Sequence, residues 1–170
     1  MTVTIFEEYV ESISHTRCSG DGYSITINDS IFNEANPTGT IVMNSINGCD
    51  STVVIQLQYN PQVLVEAGIL EDPACSNTPI NLSNLGATIN GGINTGQWTT
   101  SGSGIINNNG KFNGIEPATI YTMSSEDIDD GQVILFLTSD DPNGACDPVL
   151  DSTIVMINDL RCSLFPFSGN

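Results

Sequence analysis

The sequence predicts an all-β protein made of two consecutive β-sandwich modules, each closed by one intramodule disulfide. Three observations carry this: enrichment in Ile, Val, Thr, Ser, Asn and Gly, short alternating apolar runs between turn residues, and cysteines that recur in repeated contexts. Val, Ile and Thr suit the crowded surface of a pleated sheet, and Asn, Ser and Gly suit turns. At 170 residues, length alone allows one large sandwich or two small ones. Sequence organisation has to decide.

The first module opens on Tyr23-Ser24-Ile25-Thr26-Ile27, whose alternation fits a half-buried strand. Asn28-Asp29-Ser30 turns it into Ile31-Phe32, which makes a hairpin. Pro37-Thr38-Gly39 breaks the chain before a strand at Thr40 to Met43, and Asn47-Gly48 turns it into the strand Thr52 to Tyr59. In that strand Val53, Ile55, Leu57 and Tyr59 share one face while Gln56 and Gln58 face water. Residues 60–74 mix Pro, Gly and acids around Val63-Leu64-Val65, so a boundary is expected near residue 61.

The second module reads as strands at Ile80-Asn81-Leu82, Gly96 to Thr100 and Ile105-Ile106, with turns at Gly91-Gly92 and Ser101 to Gly104. Its apolar run Val133 to Leu137 predicts a central strand, buried on both faces or wedged between sheets. Trp98 is expected in the core. The division is therefore 1–60 for a small stapled module, 61–160 for a larger sandwich and 161–170 for the start of a following repeat. Residues 2–10 carry Thr2-Val3-Thr4-Ile5, which echoes Thr52-Val53-Val54-Ile55, and are expected to close a preceding repeat.

The five cysteines set the staples. Cys18, Cys75 and Cys162 are each followed by Ser, whereas Cys49 and Cys146 are each followed by Asp and, soon after, by a Ser-Thr-Val-like strand. An opener and a closer alternating in order are the mark of a repeat. The expected pairs are Cys18 with Cys49 and Cys75 with Cys146, leaving Cys162 unpaired because the chain is cut from a longer array. Zinc or thiol-redox sites are disfavoured, since no C-x-x-C occurs and His15 is the only histidine. Staples of this kind imply an oxidising compartment.

Charge excludes several partners. Twenty acidic residues stand against Arg17, Lys111 and Arg161, for a net charge of −17. Nucleic acid and anionic membranes would be repelled by such a surface. No run of about 18 apolar residues is present to span a bilayer, and no signal peptide precedes the first strand, so any export signal is expected outside this sequence.

Two groups of motifs resemble modules of giant tandem-repeat surface proteins from gliding and predatory bacteria of the Bacteroidota type. Cys18-Ser19-Gly20-Asp21-Gly22-Tyr23, Asn33 to Thr40 and Asn47 to Thr52 carry the likeness in the first half. In the second, Gly96-Gln97-Trp98-Thr99-Thr100 with Ser101 to Gly104, Tyr121-Thr122, Asp127-Ile128, Gly131 and Asp141 to Gly144 are similar to PKD-like, immunoglobulin-like modules. The resemblance implies type IX-type export to the cell surface and a structural role in adhesion, gliding or prey capture. Neighbouring modules, identical chains or a surface glycan would be the partners.

Catalytic devices are sparse. His15 lies between Ser14 and Thr16 and reads as a solvated linker residue, and Lys111 sits in a turn unsuited to a buried cross-link. No phosphate-binding glycine loop is present. A non-enzymatic protein is expected, with no cofactor unless calcium. Hard cations need several oxygens together, which Asp140, Asp141, Asp147 and Asp151, or Glu126, Asp127, Asp129 and Asp130, would supply. A carbohydrate-binding or enzyme-accessory module, with Trp98 or Tyr121 as a sugar platform, is the alternative.

Overall fold

The computed structural model describes residues 9–44, 50–76, 78–113 and 118–158. The strand expected at residues 2–10 therefore falls largely outside the described residues, as do Asn47-Gly48, Cys49, Cys162 and the segment 161–170. The chain divides into two compact units, Met1–Gln62 with Asn143–Cys146, and Val63–Pro142 with Asp147–Asn170. The short piece Asn143–Cys146, expected within the second module, belongs to the first unit.

Unit 1 holds β1 (Tyr9–Cys18), β2 (Ser24–Ile27), β3 (Ser30–Asn33), β4 (Thr38–Asn44) and β5 (Asp50–Asn60). The β2–β3 hairpin turns at Asn28 and Asp29, with φ of 46° and 61°. Two consecutive left-handed residues match the twist of paired strands, and Asn and Asp tolerate that conformation. The other three strands form a sheet in the order β1-β5-β4, with β4 antiparallel and β1 parallel to β5. Phe32, Val53, Ile55 and Leu57 make the buried core, while Gln56 and Gln58 are exposed. Ile13, Ile25 and Ile41 lie against that core, so β1 contributes little apolar area.

Among the described residues unit 2 is a layered all-β body with one short α-helix. Its strands are β6 (Leu64–Glu66), β7 (Ile80–Asn81), β8 (Thr88–Asn90), β9 (Gly96–Thr100), β10 (Ile105–Ile106), β11 (Lys111–Phe112), β12 (Ile120–Thr122), β13 (Gln132–Ser139) and β14 (Leu150–Met156). They form sheets in the orders β10-β12-β7, β11-β9-β13-β14 and β6-β8. Ile80 and Tyr121 from the first sheet, Trp98, Val133, Leu135, Leu137 and Val155 from the second, and Val65 and Ile89 from the third share one core. Sheets that bury their inner faces against each other make a sandwich. Trp98 is buried and meets the edge of Phe112 at 6.5 Å between ring centroids.

The run Val133 to Leu137 is not buried on both faces. Val133, Leu135 and Leu137 point into the core, whereas Ile134 and Phe136 are half-buried on the outer face. An apolar run alone does not say whether the second face is covered. Here β13 lies between β9 and β14, and the outer side of β14 leaves Leu150, Ile154 and Met156 exposed.

The expected disulfides are corrected by the parallel pairing of β1. Tyr9 sits opposite Ser51 at one end of the ladder and Cys18 opposite Asn60 at the other. Asp50, the neighbour of Cys49 in sequence, is thus a full strand length from Cys18, about 30 Å at the usual rise. A disulfide tolerates no more than about 7 Å between Cα atoms. Cys18 instead bonds Cys146, at a Cα separation of 4.8 Å, which also removes the expected Cys75–Cys146 pair. Cys75 is disulfide-bonded as well.

Candidate functional site

Unit 1 gathers the only histidine of the sequence, one of its two arginines and two of its four tyrosines into one aromatic cluster. On β1, residues 13, 15 and 17 share a face by strand alternation, which places His15 and Arg17 beside the half-buried Ile13. Arg17 stands opposite Tyr59 in the β1–β5 register. Its guanidinium lies 4.1 Å from the centroid of the Tyr23 ring, and its Nε is buried and makes no hydrogen bond. The ring face is therefore its partner, a cation–π contact. The His15 ring meets Tyr23 edge-on at 5.8 Å, so His15 is a strand residue in an aromatic cluster rather than a linker residue.

Local turns fix the rest. Asp21 accepts the Tyr23 N–H at 2.7 Å, and the Tyr59 hydroxyl donates to the Tyr23 carbonyl at 3.1 Å. Glu34 accepts from the Ser19 hydroxyl and from the Gly20 N–H, which ties the β3–β4 loop to the turn after β1. Those two donors hold the Glu34 carboxyl below its ordinary range. Burial raises the Tyr59 phenol, with the nearby Asp21 and Glu34 charges acting in the same direction. Between the elements lies a concavity of about 350 Å³ lined by Tyr23, Ser24, Ile31, Asn33, Glu34 and Tyr59. Aromatic surface beside fixed carboxylate and amide groups suits a polyhydroxylated ligand.

The sugar platforms expected in unit 2 are absent from its surface. Trp98 and Tyr121 are 2% and 0% exposed, because both belong to the sandwich core. Lys111 is exposed on β11 and lines a second concavity, of about 340 Å³, with Gln97, Asn109, Phe112 and Asp140.

The acidic residues proposed as calcium ligands have separate tasks. Asp127 is buried beneath the turn before the short helix α1 (Ser125–Asp130). Its carboxylate accepts the Tyr121 hydroxyl at 2.6 Å, the Ser124 N–H at 2.7 Å and the Ser103 N–H at 3.0 Å. Its own N–H donates to the Ser124 hydroxyl at 3.1 Å, completing a capping box. Glu126 accepts from the Ser103 hydroxyl, while Asp129 and Asp130 are exposed. Asp140 accepts from Thr95 at 2.6 Å, Asp151 accepts the Ala67 N–H at 2.7 Å, and Asp141 and Asp147 are exposed. Among the described residues no three His, Cys, Asp or Glu side chains come together as a metal-holding group.

A calcium site filled at ten times its dissociation constant would add about 1.4 kcal/mol and raise Tm by roughly 5–10 °C. When millimolar calcium replaces EDTA in a thermal scan, a rise of that size would support the calcium reading, and an unchanged Tm would remove it.

Comparisons with known proteins add a distant likeness. No protein-family model matches the sequence, and no curated protein does. Among solved structures, the extracellular cadherin domains 3–6 of protocadherin gamma B2 align over 91% of this chain at 11% identity and a TM-score of 0.34. The chain spans 46% of that structure's length. The comparison assigns this chain to no family. Among the described residues, no helix is long and apolar enough to cross a membrane.

Proposed function

We propose that this chain is a non-catalytic structural or adhesive segment of a larger secreted or cell-surface protein. The observation that carries the proposal is the Cys18–Cys146 disulfide within an all-β chain. Such bonds persist where the surroundings are oxidising, outside the cytosol. The net charge of −17 keeps closely spaced modules soluble and apart from polyanions. A non-catalytic role is supported by His15, the only histidine, packing on Tyr23 within an aromatic cluster. Following the resemblance to bacterial tandem-repeat modules, the parent protein forms a filament, stalk or adhesin used in attachment, gliding or prey capture, exported by a type IX-type route. Neighbouring modules or identical chains are its partners. Electron microscopy of the parent protein on the producing cell should reveal elongated surface structures; a compact soluble particle would sink the proposal.

A second reading, glycan recognition, is favoured by the Tyr23–Tyr59 concavity of unit 1. It predicts binding on a glycan array that Tyr59→Ala weakens at least tenfold, about 1.4 kcal/mol, with unit 1 still folded. Equal binding by the variant and the parent chain would remove the concavity from consideration.

A further inference from the structure

Cys18 is the last residue of β1, and Cys146 lies in the short loop that leads into β14. The bond between them bridges a sequence separation of 128 residues. A pull applied to the two ends of the chain therefore has a short covalent route. It runs along β1, through the disulfide and out along β14. Residues 19–145, which carry β2 to β13, hang from this route as a closed loop.

We propose that the Cys18–Cys146 disulfide makes β1 and β14 a covalent tension line, so that load on this segment runs along these two strands and not through the loop of residues 19–145. The inference rests on the structural role proposed above and names what the segment does under load. Both strands are already extended, at about 3.3 Å per residue, so tension along them has little slack to take up. Cys75 lies inside the loop, and a bond from it to any other cysteine does not shorten the route.

The loop that delivers Cys146 is shaped for the task. Asn60, opposite Cys18 at the end of the β1–β5 ladder, accepts the Ala145 N–H through its side chain at 3.3 Å and the Ser19 N–H through its carbonyl at 2.8 Å. Gly144 has a φ of +128°, and a Cβ there would stand 2.6 Å from the Asn60 side-chain oxygen. Only glycine brings the backbone that close in that conformation. One residue, Asn60, therefore seats both halves of the staple.

Single-molecule stretching of the full chain, held at residues 1 and 170, tests the proposal. The oxidised chain, pulled to full extension, should be shorter than the completely reduced chain by roughly 420–460 Å, the contour of 128 residues. Adding reductant to an already stretched oxidised molecule should release the same length, which reads the bond even if a Cys146→Ala variant does not fold. Equal contour lengths with and without reductant would overturn the tension line and take the disulfide away as support for the surface array, which would then stand or fall on the electron microscopy alone. A parent protein that proves compact would overturn the array and leave the contour measurement unchanged.

Discussion

The double replacement Cys18→Ser, Cys146→Ser is expected to unfold unit 1 under conditions where unit 2 stays folded. A staple stabilises mainly by restricting the unfolded chain, and the gain grows with the logarithm of the loop it closes. If the whole chain unfolds, the 128-residue separation corresponds to about 5 kcal/mol. If unit 2 stays folded, only about 50 residues of the loop are free, and the figure falls to about 4 kcal/mol. Either value is comparable to the entire stability of a small domain. Among the described residues the buried apolar core cluster of unit 1 is Phe32, Val53, Ile55 and Leu57, too little to make up such a loss.

Spectroscopy separates the two units. Trp98 is the only tryptophan and is buried in unit 2, whereas Tyr23 and Tyr59 lie in unit 1. In the double variant the tyrosine near-ultraviolet signal of unit 1 should be lost while Trp98 emission stays that of a buried indole. A variant that keeps both signals, with an unchanged unfolding midpoint, would show that the bond contributes nothing to unit 1.

Asp127→Ala is expected to lower the stability of unit 2 by about 3 kcal/mol, because the Tyr121 hydroxyl and the Ser124 and Ser103 N–H groups all lose their acceptor. The hydroxyl is the worst placed of these, since Tyr121 is fully buried. The same carboxylate makes stability depend on pH. Burial raises the Asp127 carboxyl, but the donors from Tyr121, Ser124 and Ser103 outweigh burial and hold it below its ordinary value. The unfolded chain therefore takes up this proton first. The contribution is full above the ordinary aspartate range, near pH 4, and is lost as pH falls through the lower folded value.

Exposed acids act in the opposite sense, because protonating them relieves the repulsion of a chain with net charge −17. The informative quantity is thus the difference between parent and variant. The gap in Trp98-monitored stability should be wide at pH 6 and should narrow below about pH 4. A gap that is constant with pH would mean that the Asp127 charge takes no part in holding the turn.

The strands of unit 1 were legible because a buried face and a wet face impose a period of two. Val53, Ile55 and Leu57 against Gln56 and Gln58 is a pattern that only one strand orientation satisfies. The hairpin turn at Asn28-Asp29 was legible for a similar local reason. By contrast, β1 carries few apolar residues, and its ladder with β5 is parallel, so neither hydrophobic period nor turn chemistry announced it. The aromatic cluster was missed with it. His15, Arg17, Tyr23 and Tyr59 are scattered over the sequence and meet only through that ladder.

The acidic runs were legible as charge but not as geometry. Carboxylates close in sequence looked like one donor set, but Asp127 turns inward to cap a helix, Asp129 and Asp130 face water, and Asp151 holds the Ala67 backbone. Position on a helix or strand, set by packing, decides which oxygens can converge. Exposed aromatic platforms failed for the same reason: Trp98 and Tyr121 carry large apolar rings, and the sandwich of unit 2 buried both.

Sequence by itself determined the all-β class, the alternating faces of the strands and the presence of staples, because these follow from local pattern and composition. Tertiary structure alone decided which cysteines meet. Pairing of Cys18 with Cys146 depends on β1 running parallel to β5, and on a loop from the far side of the sequence being seated at Asn60. No local rule encodes a contact across 128 residues, since its geometry is fixed by the strand order of a folded sheet.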